Sequence, residues 1–164
     1  NPEIEGKIIS DFSRIGYPVE KISVLKRAIP GAPPGVLFVE VQEADLKCAT
    51  PQLAMSQGMY RAFSLIVIVE HILSTGEQCT IAIDDLGEGL DYLRSTKLIE
   101  LLFEKIKNSS VQLIVTSNDR FVINAIDMKK LILLERKGPV VASFNYIKDK
   151  EKFDDFEFTG LNNF

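Results

Sequence analysis

Two short apolar runs, Cys79–Ile83 (CTIAI) and Val111–Val115 (VQLIV), stand on either side of an amphipathic stretch, and that arrangement leaves few folds open. Each run is too short for a helix and reads as a buried strand of a parallel sheet. Between them Leu93, Leu98, Ile99, Leu102, Phe103 and Ile106 place an apolar stripe along residues 92–107, leaving Glu100, Glu104, Lys105 and Lys107 for the wet face of a covering helix. A short helix at 120–126 leads to a third strand at 131–135, and Gly138-Pro139 turns the chain into 140–144. The alternation predicts an α/β layer of parallel strands, with ligands beyond the strands' carboxyl ends.

Upstream, Ile4, Ile8, Phe12 and Ile15 recur at helical spacing until Gly16 and Pro18 end the pattern. Residues 19–29 fit helix and strand equally, 30–35 form a stiff Pro/Gly turn, and 36–41 (VLFVEV) read as a strand. Ser56 is a good cap for a long helix running to about Ser74, with Gly76 as its stop. At 164 residues and 46% apolar side chains, a single domain is expected. Within it, 1–35 would be a helix and linker leading in, 36–145 the core and 146–164 a tail. Phe153, Phe156 and Phe158 of that tail alternate with acids and suit docking on a core or a further domain. The end at Leu161, Asn162, Asn163 and Phe164 carries no stop signal, so a longer natural chain is expected.

Several classes fall away. The longest apolar run, 62–69, stops at Glu70 and His71, well short of the roughly 20 residues of a bilayer span. No basic, then apolar, leader opens the sequence, so a cytoplasmic protein with no membrane contact is expected. Cys48 and Cys79 lie far apart, without a zinc or disulfide pattern. A net charge of −4 with mixed signs gives no footprint for nucleic acid, which could be bound only through other domains. His71, the one histidine, has no nucleophile or second ligand near it in sequence.

Three stretches carry chemistry. The strand 81–83 delivers Asp84 and Asp85, then Gly87, Glu88, Gly89 and Asp91. At such a strand end one carboxylate can hold Mg²⁺ while its neighbour orients a water; two acids there can equally cap a helix. Met55-Ser56-Gln57-Gly58-Met59-Tyr60-Arg61 offers a hydroxyl, free backbone N–H groups and a helix dipole to an anion, or is an ordinary cap. Strand 113–115 ends in Thr116-Ser117-Asn118-Asp119, where Asn118 can donate to phosphate, or Asn118 or Asp119 can cap the next helix. Arg61 and Arg94 read as solvated or paired, with a smaller role toward nucleotide or a partner.

In this order the three stretches resemble the signature loop, Walker B strand with D-loop, and switch strand of ABC-type ATPases, a branch of the P-loop NTPases. The resemblance covers about residues 53–145 and lies nearer the members acting in DNA repair, chromosome maintenance and phage defence than transporter cassettes. It implies an α/β fold, a partial P-loop NTPase core with a mainly parallel sheet flanked by helices, and ATP and Mg²⁺ as cofactors. Asp84 would serve the metal and Asp85 the attacking water. Ser56, Gln57, Gly58 and Asp91 would meet ATP across a head-to-tail homodimer, and Asn118 would sense the γ-phosphate. Asp85 departs from the family's usual glutamate, being shorter by one bond of about 1.5 Å, and Glu88 is a weaker substitute. Asn118 stands where the family has histidine and cannot take up a proton near neutral pH. No Walker A loop is encoded: Gly6-Lys7 lacks the following hydroxyl residue, with Ile8 there instead. A Walker A segment of the same or another chain is thus an implied partner. A non-hydrolysing scaffold and a metal-dependent nuclease using Asp84, Asp85 and Asp91 remain the alternatives.

Overall fold

The computed structural model describes residues 1–26 and 35–156; positions 30–34 of the expected turn, Phe158 and the chain end at 161–164 lie outside the described residues. Helix α1 (Pro2–Arg14) starts where the Asn1 side chain accepts from the Glu3 amide at 3.1 Å, and proline occupies its first turn, where no N–H is needed. It buries Ile8, Asp11 and Phe12. Strand β1 (Val19–Lys26) follows. Its sequence fitted two conformations, and antiparallel pairing with β2 (Leu37–Glu43) selects the extended one, setting Ile22 against Val41 and Val24 against Val39. The short β3 (Thr50–Pro51) adds to the other side of β2.

Residues 1–26 are not a lead-in segment. Ile8, Phe12, Ile15 and Val19 share one hydrophobic cluster with Val41, Phe63, Ile66, Leu98 and Leu102, so the boundary expected at residue 35 cuts through the core.

Helix α2 (Gln57–Thr75) ends at Gly76, whose φ of +69° is the left-handed stop that glycine adopts without penalty. Next come β4 (Cys79–Ile83), α3 (Tyr92–Ile106) and β5 (Val111–Val115), with β4 and β5 parallel and in register from Cys79 opposite Val111 to Ile83 opposite Val115. Among the described residues only one side of this pair is covered. Ile81, Ile83, Leu113 and Val115 face the core, whereas Thr80, Ala82, Gln112 and Ile114 are exposed, Ile114 at 51%.

After α4 (Arg120–Asn124), strand β6 (Ile132–Lys137) pairs antiparallel with β7 (Val140–Asn145) and not with β5. The third strand expected from the alternation is therefore half of a hairpin. Helix α5 (Lys150–Phe156) closes the described chain, and its Phe153 is fully buried, edge-on to Tyr146 at 5.7 Å. Among the described residues no helix is long and apolar enough to cross a membrane.

Three helices meet on one half-buried lysine. Lys105 of α3, assigned by pattern to the wet face, instead reaches Asp11 Oδ2 of α1 at 2.7 Å and Glu70 of α2. Burial pushes the Asp11 carboxyl above its ordinary value against the pull of Lys105. Burial pulls Lys105 down, but the hydrogen bonds and charges of Asp11 and Glu70 outweigh it and hold the ammonium above its ordinary value.

Candidate functional site

Asp84 and Asp85 leave the carboxyl end of β4, and Thr116, the first residue after β5, receives them. The Thr116 amide donates to Ile83 O at 2.9 Å, which carries the parallel ladder one step beyond the strands. Its hydroxyl donates to Asp84 Oδ1 at 2.6 Å and accepts from the Asp85 amide at 2.8 Å. The Leu86 amide donates to Thr116 O at 2.9 Å, and Ser117 Oγ donates to Leu86 O at 2.9 Å. The loop of acids is thereby fastened to the 116–117 segment from both sides.

Asp85 is bent within this loop. Its φ of +49° makes it the only non-glycine with positive φ among the described residues. Such a conformation costs an L-residue about 1–2 kcal/mol and persists where its surroundings hold it. Arg61, from the second turn of α2, supplies part of that constraint. Its Nη2 donates to the carbonyls of Asp84 and, at 2.9 Å, of Asp85, while Nη1 pairs with Glu88 Oε2 at 3.0 Å. Arg61, Ser64, Leu65, Ala82, Asp84 and Asp85 line an open cleft of about 510 Å³.

The start of α2 closes on the same loop. Ser56 Oγ accepts from the Met59 amide at 3.2 Å, the expected cap, and both Ser56 and Gln57 are exposed. Gly58 is buried against Gly89, and a β-carbon on Gly58 would lie 2.1 Å from the Gly89 carbonyl oxygen. Only glycine fits there. The acids, the start of α2 and the 116–118 segment therefore share one rim.

Asp91 and Asn118 stand apart in their bonding. Asp91 caps α3, its Oδ1 accepting from the Arg94 amide at 3.0 Å and its Oδ2 pairing with the Arg94 guanidinium. The hydrogen bond from the Arg94 backbone is the main reason its carboxyl lies below its ordinary value. Asn118 is exposed, and the cap of α4 is Asp119, which accepts from the Phe121 amide at 2.8 Å and from Ser95 Oγ at 3.3 Å. Neither Asp84 nor Asp85 caps a helix. His71 is exposed on α2.

The donors beside Asp84 are hard oxygens, a carboxylate and the Thr116 hydroxyl, which suit Mg²⁺. Among the described residues no group of three or more His, Cys, Asp or Glu side chains could hold a metal by itself. A cation at Asp84 would draw its remaining ligands from water and phosphate, as Mg²⁺ commonly does.

Sequence reasoning passed over Thr116 and undervalued Arg61. The parallel register holds the signal for Thr116, because a residue one step past Val115 must stand beside the one following Ile83. Nothing local in the sequence marks Arg61 as the bridge.

A parallel strand pair ending in acids and faced by the capped start of a long helix is the arrangement of ABC-type ATPases, and the chain has that fold. Solved structures of similar fold include SMC ATPase heads. A structure of SMC ATPases concerned with ATP-driven dimerisation and DNA-stimulated activation is 18% identical with a TM-score of 0.64, over 94% of this chain and 91% of that one. The SMC head of Pyrococcus furiosus bound to the C-terminal domain of ScpA is 18% identical with a TM-score of 0.63, over 94% and 37%. The head with coiled coil and joint from Pyrococcus yayanosii is 17% identical with a TM-score of 0.68, over 94% and 29%. The chain thus spans nearly all of the first and about a third of the other two. No family model and no characterised sequence matches it.

Proposed function

We propose that this chain is the second half of an ABC-type ATPase head, which closes on a second head around ATP and Mg²⁺ and hydrolyses the nucleotide. The observation that carries the reading is the meeting, on one rim, of the Ser56–Gly58 helix start, the Asp84–Asp85 strand end and the Thr116–Asn118 segment. Asp84 would hold the Mg²⁺, Asp85 would orient the attacking water, and Asn118 would donate to the γ-phosphate. Ser56, Gln57, Gly58 and Asp91 would face ATP held by the Walker A segment of the partner head. ATP bound between heads favours the closed form only through contacts made in that form, and the γ-phosphate supplies them.

The bare side of β4 and β5 supports the missing half. Parallel strands are ordinarily covered on both faces, and exposed Ala82 and Ile114 leave room for a covering layer beside the acids. A Walker A segment, in the same chain or another, is the layer the reading requires.

The test is phosphate release and nucleotide-dependent dimerisation by the core assembled with its Walker A half, wild type against Asp85→Asn. Turnover is expected to vanish while closure persists. Equal turnover by the two would remove Asp85 from its role. A second reading, a cassette kept as a non-hydrolysing scaffold, draws on the short, left-handed Asp85 and on Asn118 in place of an imidazole. Sustained Mg²⁺-dependent phosphate release excludes it.

A further inference from the structure

The turn that follows β4 does not account for the bend at its head. The Glu88 amide donates to Asp85 O at 3.2 Å and closes a four-residue turn over 85–88, in which Gly87, at a φ of +110°, supplies the positive φ that one class of turn needs at its third position. Turn geometry prescribes nothing at the first residue. The left-handed φ of +49° at Asp85 therefore has another cause.

The two peptide units flanking the Asp85 Cα are each held at both ends. In the unit before it, Asp84 O accepts from Arg61 Nη2 while the Asp85 amide donates to Thr116 Oγ1 at 2.8 Å. In the unit after it, Asp85 O accepts from the same Nη2 at 2.9 Å while the Leu86 amide donates to Thr116 O at 2.9 Å. Two planar units fixed in this way leave the Cα between them no free dihedral. Arg61 Nη1 is engaged by Glu88 Oε2 at 3.0 Å, which keeps the guanidinium fork turned toward the loop. All the bonds to Asp85 named here engage its backbone, so backbone placement sets the direction in which its side chain leaves for the cleft it lines.

We infer that Arg61 and Thr116 are positioning residues, a two-sided clamp on the backbone of Asp85 that sets where its carboxylate stands in the cleft. The inference deepens the function proposed above and rests on it, because it is there that Asp85 orients the attacking water. Aspartate is among the few side chains that tolerate the left-handed region, so the clamp holds a conformation open to this residue. Glu88, considered in the sequence as a substitute for Asp85, is by this account the counterion of Arg61.

The test has two arms. In the 164-residue chain, the NMR cross-peak between the amide hydrogen and the Hα of Asp85 reports its φ, being strongest where φ is positive. Arg61→Gln and Thr116→Val should each reduce it to the strength seen for extended residues of β4, while Thr116→Ser, which keeps the hydroxyl, should leave it. A full-strength peak in either of the first two, or its loss in Thr116→Ser, overturns the inference. Should Arg61→Gln not fold, the two Thr116 variants decide. In the core assembled with its Walker A half, Arg61→Gln should lower kcat about a hundredfold, the cost of misplacing a reacting group by about 1 Å, and leave KM for ATP unchanged. Because both sides of the clamp hold one residue, Arg61→Gln combined with Thr116→Val should fall no further than the worse single variant. A loss confined to KM, or losses that multiply, also overturns the inference. If the wild-type assembly turns over no ATP while the Asp85 cross-peak responds, the proposed function falls and the clamp stands.

Discussion

Gly58 lies so close to Gly89 that a β-carbon placed on it would come within 2.1 Å of the Gly89 carbonyl oxygen. The obstacle is backbone, which cannot rotate away as a side chain can, so the first turn of α2 and the loop after β4 are fixed against each other. Gly58→Ala is expected to cost about 1–3 kcal/mol, the usual range for overpacking a filled site. Gly6→Ala in α1, where an added β-carbon meets nothing within 4 Å, is expected to stabilise by about 0.5–1 kcal/mol through helix propensity. Urea unfolding of the two variants separates them; shifts of the same sign would mean that the contact is not tight in solution.

Asp85 carries a left-handed backbone and, in the proposed function, the reacting water. Asp85→Gly should therefore raise stability by about 1 kcal/mol as strain is released, and abolish phosphate release by the assembled core. Asparagine tolerates the same backbone region, so Asp85→Asn should unfold near the wild-type urea midpoint. A glycine variant less stable than wild type would show that side-chain contacts of Asp85 outweigh its strain.

Lys105 sits between two carboxylates whose side chains are each 5% exposed, and Lys105→Met would leave both without their cation. Breaking a buried pair in this way costs about 3–5 kcal/mol. The sign of the pH dependence follows from the shifts. Lys105, held above 10.5, contributes stability below that value and loses it as pH rises through its folded pKa. Asp11, raised above 3.8, contributes stability below that value and loses it as pH rises through its own raised pKa. The deficit of Lys105→Met, measured by urea unfolding at neutral pH, should shrink on acidification into the carboxylate range. A deficit independent of pH would separate Lys105 from the carboxylates.

The sequence made β4, β5 and α3 legible because their periodicity and length were unambiguous, and it located Ser56, Gly76 and Asp84 through caps and strand ends. It could not decide β1. The run VEKISVLK suits a helix or a strand, and only the pairing of Ile22 and Val24 with β2 decides between them. Lys105 was hidden for a related reason: a charge at the border of an apolar stripe looks solvated until two other helices bring Asp11 and Glu70 to it. Asp91 was read for a role toward a partner, while its bonds to the start of α3 and to Arg94 depend on where a helix begins.

The measurement closest to the central claim is the mass of the assembled core by light scattering, with and without Mg²⁺ and ATP, for wild type and Ser56→Arg. Ser56 is exposed on the rim and heads α2, so an arginine there obstructs the face that would close on the partner's phosphates. The expected result is a doubled mass with nucleotide for wild type and none for Ser56→Arg. A wild-type mass indifferent to nucleotide, or a Ser56→Arg variant that doubles as readily, would contradict the assignment of this rim to ATP.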